Sequence, residues 1–168
     1  LKNDQQLAQF RTKCVYENEA KATIGAWFRH IPSGFVADLF TIQSVPQAFM
    51  WFNTLPPSDQ GEPHTCEHLL LGKGTKGRYV ASMEDMLLGE SSAFTMQLQT
   101  CYSFNCGSGT DNFFKLFEAK LDALVHPNYS DEEIRREVCH VGLTEDQASG
   151  TVGLEEKGTV YNEMVRLF

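Results

Sequence analysis

Apolar residues recur along this chain in two periods. The longest alternation runs over residues 91–106. Phe94, Met96, Leu98, Thr100, Tyr102, Phe104 and Cys106 fall on one side, and Ala93, Thr95, Gln97, Gln99, Cys101, Ser103 and Asn105 on the other. A period of two is that of a half-buried strand, so the pattern predicts one long strand with the first set facing the core. Shorter extended runs precede it. Residues 12–16 predict an edge strand, and residues 22–31 and 34–42 a hairpin turned at Pro32-Ser33-Gly34. The second arm, residues 35–40, is apolar enough to predict cover on both faces. Residues 46–55, with Phe49, Met50, Trp51 and Phe52 in a row, predict a third strand.

Helical spacing appears elsewhere. Phe113, Phe114, Phe117, Leu121, Leu124 and Val125 mark one face of a core helix over residues 111–126, which Pro127 stops. Ser130-Asp131-Glu132-Glu133 is a capping box opening a helix to about Val138. Ser82 as N-cap predicts a short helix ending at Gly89. Val160, Met164 and Leu167 line a helix predicted over residues 154–168. Residues 1–10 predict a frayed end or short helix, 138–143 an extended stretch and 144–153 a polar turn. The glycine-rich basic run 72–78 lacks the Walker spacing, and so predicts a flexible loop rather than a phosphate cradle. Together these elements define an α+β fold, a mostly antiparallel sheet with helices packed on one face.

Composition narrows the function classes. The chain has 168 residues, the length of one domain, 42% of them hydrophobic. Its net charge of −8 argues against a nucleic-acid groove. No apolar run approaches the roughly 18 residues of a membrane span. No leader is visible, and the chain opens on Leu1 and stops at Phe168 inside a predicted helix, so it reads as a truncated domain, 1–168, of a longer protein. Cys14, Cys66, Cys101, Cys106 and Cys139 are odd in number and form no C-x-x-C pair, which argues for free thiols. Helical geometry turns Cys66 towards the core. His30 reads as solvent-facing on its hairpin, and His126 and His140 as structural.

Chemistry concentrates at Gly61-Glu62-Pro63-His64-Thr65-Cys66-Glu67-His68, followed by three leucines. Pro63 suits the start of a helix. On that helix His64 and His68 lie one turn apart on one face and can aim two imidazole nitrogens at one ion. Glu67 leans over the same face, placed to reach a water on the metal. The order H-x-x-E-H is the inverzincin signature. A third ligand would complete a catalytic zinc site with an open fourth position. The final predicted helix offers Glu155, Glu156 and Glu163, and spacing alone leaves Glu156 and Glu163 as alternatives.

The run 61–71, with Phe52-Asn53-Thr54-Leu55-Pro56-Pro57-Ser58-Asp59 before it, resembles the pitrilysin family of zinc peptidases. Gly158-Thr159-Val160-Tyr161-Asn162-Glu163-Met164 is similar to the glutamate-bearing helix of its presequence-protease branch. The resemblance extends from about residue 22 to the end. It implies one zinc ion held by His64, His68 and Glu163, with Glu67 as general base and Glu156 behind the ligands, orienting one of them. It also implies that Ser92, Ala93 and Phe94 lie on a strand that pairs with a peptide substrate, although relatives often carry Asn where Ser92 stands. Residues from a later homologous half, or from a partner subunit, would complete the site. The expected function is a zinc endopeptidase acting on unfolded peptides, without nucleic-acid or membrane partners. The alternatives are a non-catalytic scaffold or processing subunit that kept the fold, and a closed structural-metal module with a cysteine as fourth ligand.

Overall fold

In the computed structural model, which describes residues 1–145 and 150–167 (Leu167 by its backbone alone), strand register rather than strand count decides which side chains are buried. The fold is α+β, with every strand pair antiparallel. It divides into two compact units, Leu1–Ser44 and Val45–Phe168. The middle of the polar turn expected over 144–153, residues 146–149, lies outside the described residues, as does Phe168.

The first unit is a four-stranded sheet in the order β1 (Gln6–Leu7), β2 (Phe10–Glu17), β3 (Thr23–His30), β4 (Val36–Phe40). The β3–β4 hairpin forms as expected. Gly34 adopts φ 74°, a left-handed conformation that glycine takes without strain, and its N–H donates to the His30 carbonyl. Four expectations change here. Residues 6–7 are a short strand, not a helix. β2 has a neighbour on each side where β1 covers its start. β4 is an edge strand with Val36, Leu39 and Phe40 exposed, because apolar sequence does not by itself supply a covering layer. His30 does not simply face solvent; its ring nitrogens pair with Ser33 Oγ at 2.7 Å and Gln9 Oε1 at 3.0 Å.

The second unit holds a three-stranded sheet, β5 (Gln47–Asn53), β7 (Gln99–Cys106) and β6 (Gly89–Thr95), with β7 central. The long alternating run is thus two strands. It reverses at Gln97-Leu98, where the Met96 N–H donates to the Gln99 carbonyl. Neither turn residue has positive φ, and neither is Gly, Pro, Asn or Asp, so the sequence carries no ordinary turn signal. Thr100, Tyr102, Phe104 and Cys106 are buried as expected. Reversal puts Phe94 opposite Cys101, on the other face, and Phe94, Met96 and Leu98 are exposed.

The helices are α1 (Glu62–Gly72), α2 (Gly74–Leu87), α3 (Thr110–Val125) and α4 (Asp131–Val138). The hairpin β8 (His140–Glu145), β9 (Val152–Lys157) then leads to α5 (Thr159–Leu167). The core joins Val80 and Met83 of α2, Phe104 and Cys106 of β7, and Phe113, Leu116 and Ala123 of α3. Phe104 and Phe113 stack with ring centroids 5.2 Å apart. Burying a side chain such as Leu116 contributes about 1.5–3 kcal/mol. Lys120 is buried with it, 2.5 Å from Glu84 and over the Phe104 ring.

Two further segments depart from expectation. The glycine-rich run 72–78 is not a loop but the junction of α1 and α2, with Lys73 capping both. Its glycines permit contact: a Cβ on Gly74 would lie 2.5 Å from Asn128 Oδ1 and 2.8 Å from the Tyr129 nitrogen. Ser82 is therefore mid-helix, its hydroxyl donating to the Arg78 carbonyl, and α2 ends at Leu88 in a left-handed conformation. Residues 154–157, expected to start the last helix, instead complete β9 (Val152–Lys157), and 152–153, expected in the turn, begin it, since their partner β8 offers a ladder that spacing alone does not reveal. The Ser130–Glu133 capping box forms as expected.

Candidate metal centre

Gly61 in a left-handed conformation turns the chain into α1, and Pro63 sits in its first turn. Leu69 is buried and fixes the helix. His64 and His68 therefore share one face, with their Nε2 atoms 3.1 Å apart. Glu163 arrives from α5, far along the chain, and its Oε2 lies 3.2 Å from His64 Nε2 and 3.3 Å from His68 Nε2. A tetrahedral ion with bonds of roughly 2.0–2.1 Å spaces its ligands roughly 3.3–3.4 Å apart. The three atoms thus form a triangle of the right size for one small ion. The two histidine side chains are 27% and 17% exposed and that of Glu163 is 45% exposed, so the cluster opens on the Glu163 side.

Behind His68 stands Glu137 of α4, with Oε1 3.1 Å from His68 Nδ1 and Oε2 3.0 Å from Lys73 Nζ. An ionised carboxylate only accepts, so His68 Nδ1 must donate, which leaves the Nε2 lone pair for a cation. Burial pushes the Glu137 carboxyl up, but Lys73, the Thr159 hydroxyl and His68 outweigh it and hold it below the usual range.

Glu67 is 6% exposed and accepts a 2.6 Å hydrogen bond from Thr95 Oγ1. Thr95 Oγ1 lies 3.2 Å from Thr100 Oγ1, which lies 3.0 Å from Thr54 Oγ1. Ser92, Ala93 and Phe94 lie on β6, which pairs with β7 on one side and forms the sheet edge among the described strands, with α1 packed against it. Ser92 lends its carbonyl to Ser103 Oγ, and Phe94 packs edge-on against Trp51.

Glu156 lies on β9, not on a helix two turns from Glu163, and bonds to the Tyr161 hydroxyl; that bond and the nearby charge raise the tyrosine above its ordinary range. The carboxylate found against a histidine of the cluster is that of Glu137, which the sequence reading passed over because residues 130–138 showed only a capping box and the helix it opens. The available signal was its place three residues after Ile134, on the apolar side of α4. Cys66 is half-buried and is not in the cluster; burial pushes its thiol up. All five cysteines are free.

No family model matches the chain. An uncharacterized protein of Saccharomyces cerevisiae is 32% identical over 110 residues, 64% of this chain and 10% of that protein. The mitochondrial presequence protease of Gibberella zeae is 32% identical over 148 residues, 83% of this chain and 14% of the protease. That of Aspergillus oryzae is 34% identical over 122 residues, 67% and 12% respectively. The chain thus spans 10–14% of the length of these relatives. The class these similarities define is peptidase-related. The named relatives within it, to which this chain is homologous over the matched stretches, are presequence proteases.

Proposed function

We propose that this chain is the metal-bearing part of a zinc endopeptidase of the pitrilysin family that hydrolyses unfolded peptides. The observation that carries the reading is the convergence of His64 Nε2, His68 Nε2 and Glu163 Oε2 from two helices, with Glu67 on the same helix as the histidines. The homology to presequence proteases supports it. Zinc held by these atoms would supply Lewis acidity to a carbonyl oxygen and acidify water.

The chain's own residues do the rest. Glu137 holds the His68 ring in the tautomer that offers Nε2 outward. Glu67 accepts the proton of the attacking water and passes it to the leaving amine. The free edge of β6, through the backbone of Ser92, Ala93 and Phe94, receives the peptide as an added strand, which favours extended chains over folded proteins. A later half of the same polypeptide, or a partner subunit, faces this surface and completes the site.

The test is zinc titration and peptide hydrolysis by the full polypeptide, with Glu67→Gln alongside. The expected result is zinc bound by both forms and turnover by the unsubstituted form alone. Zinc binding without turnover in either form would favour a scaffold or processing subunit. Turnover retained by Glu67→Gln would remove the base.

A further inference from the structure

We propose that Thr95, braced by Thr100 and Thr54, is a positioning residue that sets the carboxylate of Glu67. The inference rests on Glu67 being the base of the reaction above. A carboxylate that is 6% exposed must be hydrogen-bonded to remain charged at low cost. Among the described residues its side-chain partner is the Thr95 hydroxyl, at 2.6 Å.

Hydrogen-bond arithmetic gives the chain of hydroxyls a direction. Each threonine has one hydroxyl proton, and an ionised carboxylate has none. Thr95 spends its proton on Glu67, so it can only accept from Thr100 at 3.2 Å. Thr100 then has no proton left for Thr54 and accepts from it at 3.0 Å. All three dipoles therefore point towards Glu67, and each strengthens the next.

The brace is anchored at three places. Thr100 is fully buried on the central strand β7 and pairs directly with Thr95 in register. Thr54 follows β5, and its N–H donates to the Leu98 carbonyl. Thr95 ends β6, immediately after Ala93 and Phe94. One strand thus fixes both the edge offered to a peptide backbone and the oxygen that holds the base. A base held this way needs no reorientation when the scissile bond arrives, and such alignment governs the rate of the chemical step more than binding.

The experiment uses the full polypeptide carrying Thr95→Val, which removes the hydroxyl at nearly constant volume, and Thr95→Ser, which restores it. Thr95→Val is expected to lower kcat on the order of ten- to a hundredfold, with KM and zinc affinity within about twofold, and Thr95→Ser to recover most of the loss. High-resolution structures should show Glu67 in one rotamer in the unsubstituted protein and in Thr95→Ser, and spread over several in Thr95→Val. An unchanged kcat in Thr95→Val, a loss shared equally by Thr95→Ser, or a single undisturbed Glu67 rotamer in Thr95→Val would overturn the proposal. Glu67→Gln separates the two levels. If it is inactive while Thr95→Val is normal, the positioning role alone falls. If Glu67→Gln turns over, the base reading falls, and with it this role.

Discussion

His68 Nδ1 lies 3.1 Å from Glu137 Oε1, and this contact ties the helix bearing the histidines to α4. Glu137 is nearly buried and is held in turn by Lys73 from the α1–α2 junction. Orientation of the His68 ring is therefore a property of three helices. Glu137→Ala should lower zinc affinity on the order of ten- to a hundredfold, as loss of such a partner typically does. Isothermal titration of the purified chain measures it. Unchanged affinity would mean that Lys73 and Glu137 serve packing alone.

If zinc sits in the His64–His68–Glu163 triangle, Glu163→Ala should remove one of its corners and cost more zinc affinity than Glu156→Ala, whose carboxylate is engaged with Tyr161. Metal content after dialysis ranks the two variants. The opposite order would transfer the third ligand to Glu156.

Glu133 accepts the Ser130 and Gly74 N–H groups and pairs with Arg78, and these hold its carboxyl at about 2. Its ordinary unfolded value is about 4.3. A depressed folded pKa contributes stability above the unfolded value and loses it as pH falls towards the folded one. Thermal melts should therefore show the unsubstituted chain losing its advantage over Glu133→Gln between about pH 5 and pH 2. A constant difference across that range would contradict the assignment.

Gly74→Ala should destabilise the chain by roughly 1–3 kcal/mol, through strain at positive φ and collision with the 128–129 backbone. Gly72→Ala, where an added Cβ meets nothing within 4 Å, should cost no more than about 1 kcal/mol. Urea denaturation of both separates close contact from simple flexibility as the reason for the glycines.

Local signals are legible in the sequence where one residue carries them. Ser130 and Glu133 announce their helix to its first residue, Pro127 stops α3, and His64, Glu67 and His68 share a helix because their spacing leaves little choice. What escapes depends on partners distant in sequence. The turn at Gln97-Leu98 breaks no alternation, so only pairing of Thr95 with Thr100 exposes it. The run containing Gly74 and Gly77 looks loose because the Asn128 and Tyr129 backbone that presses on it lies some fifty residues away. Glu156 takes a strand position because β8 is there to pair with, and although its spacing from Ile134 turns Glu137 inward, only the packing of α4 on α1 brings it beside His68.

The His64–His68–Glu163 triangle has two corners on the first helix of its unit and one on the last described helix. An ion shared among them would act as a clasp between residues 64 and 163, and because it would bind the folded arrangement alone, its binding free energy would add to folding stability. Chelation should then release α5 before the sheet yields, which makes the C-terminal helix a reporter of metal loading.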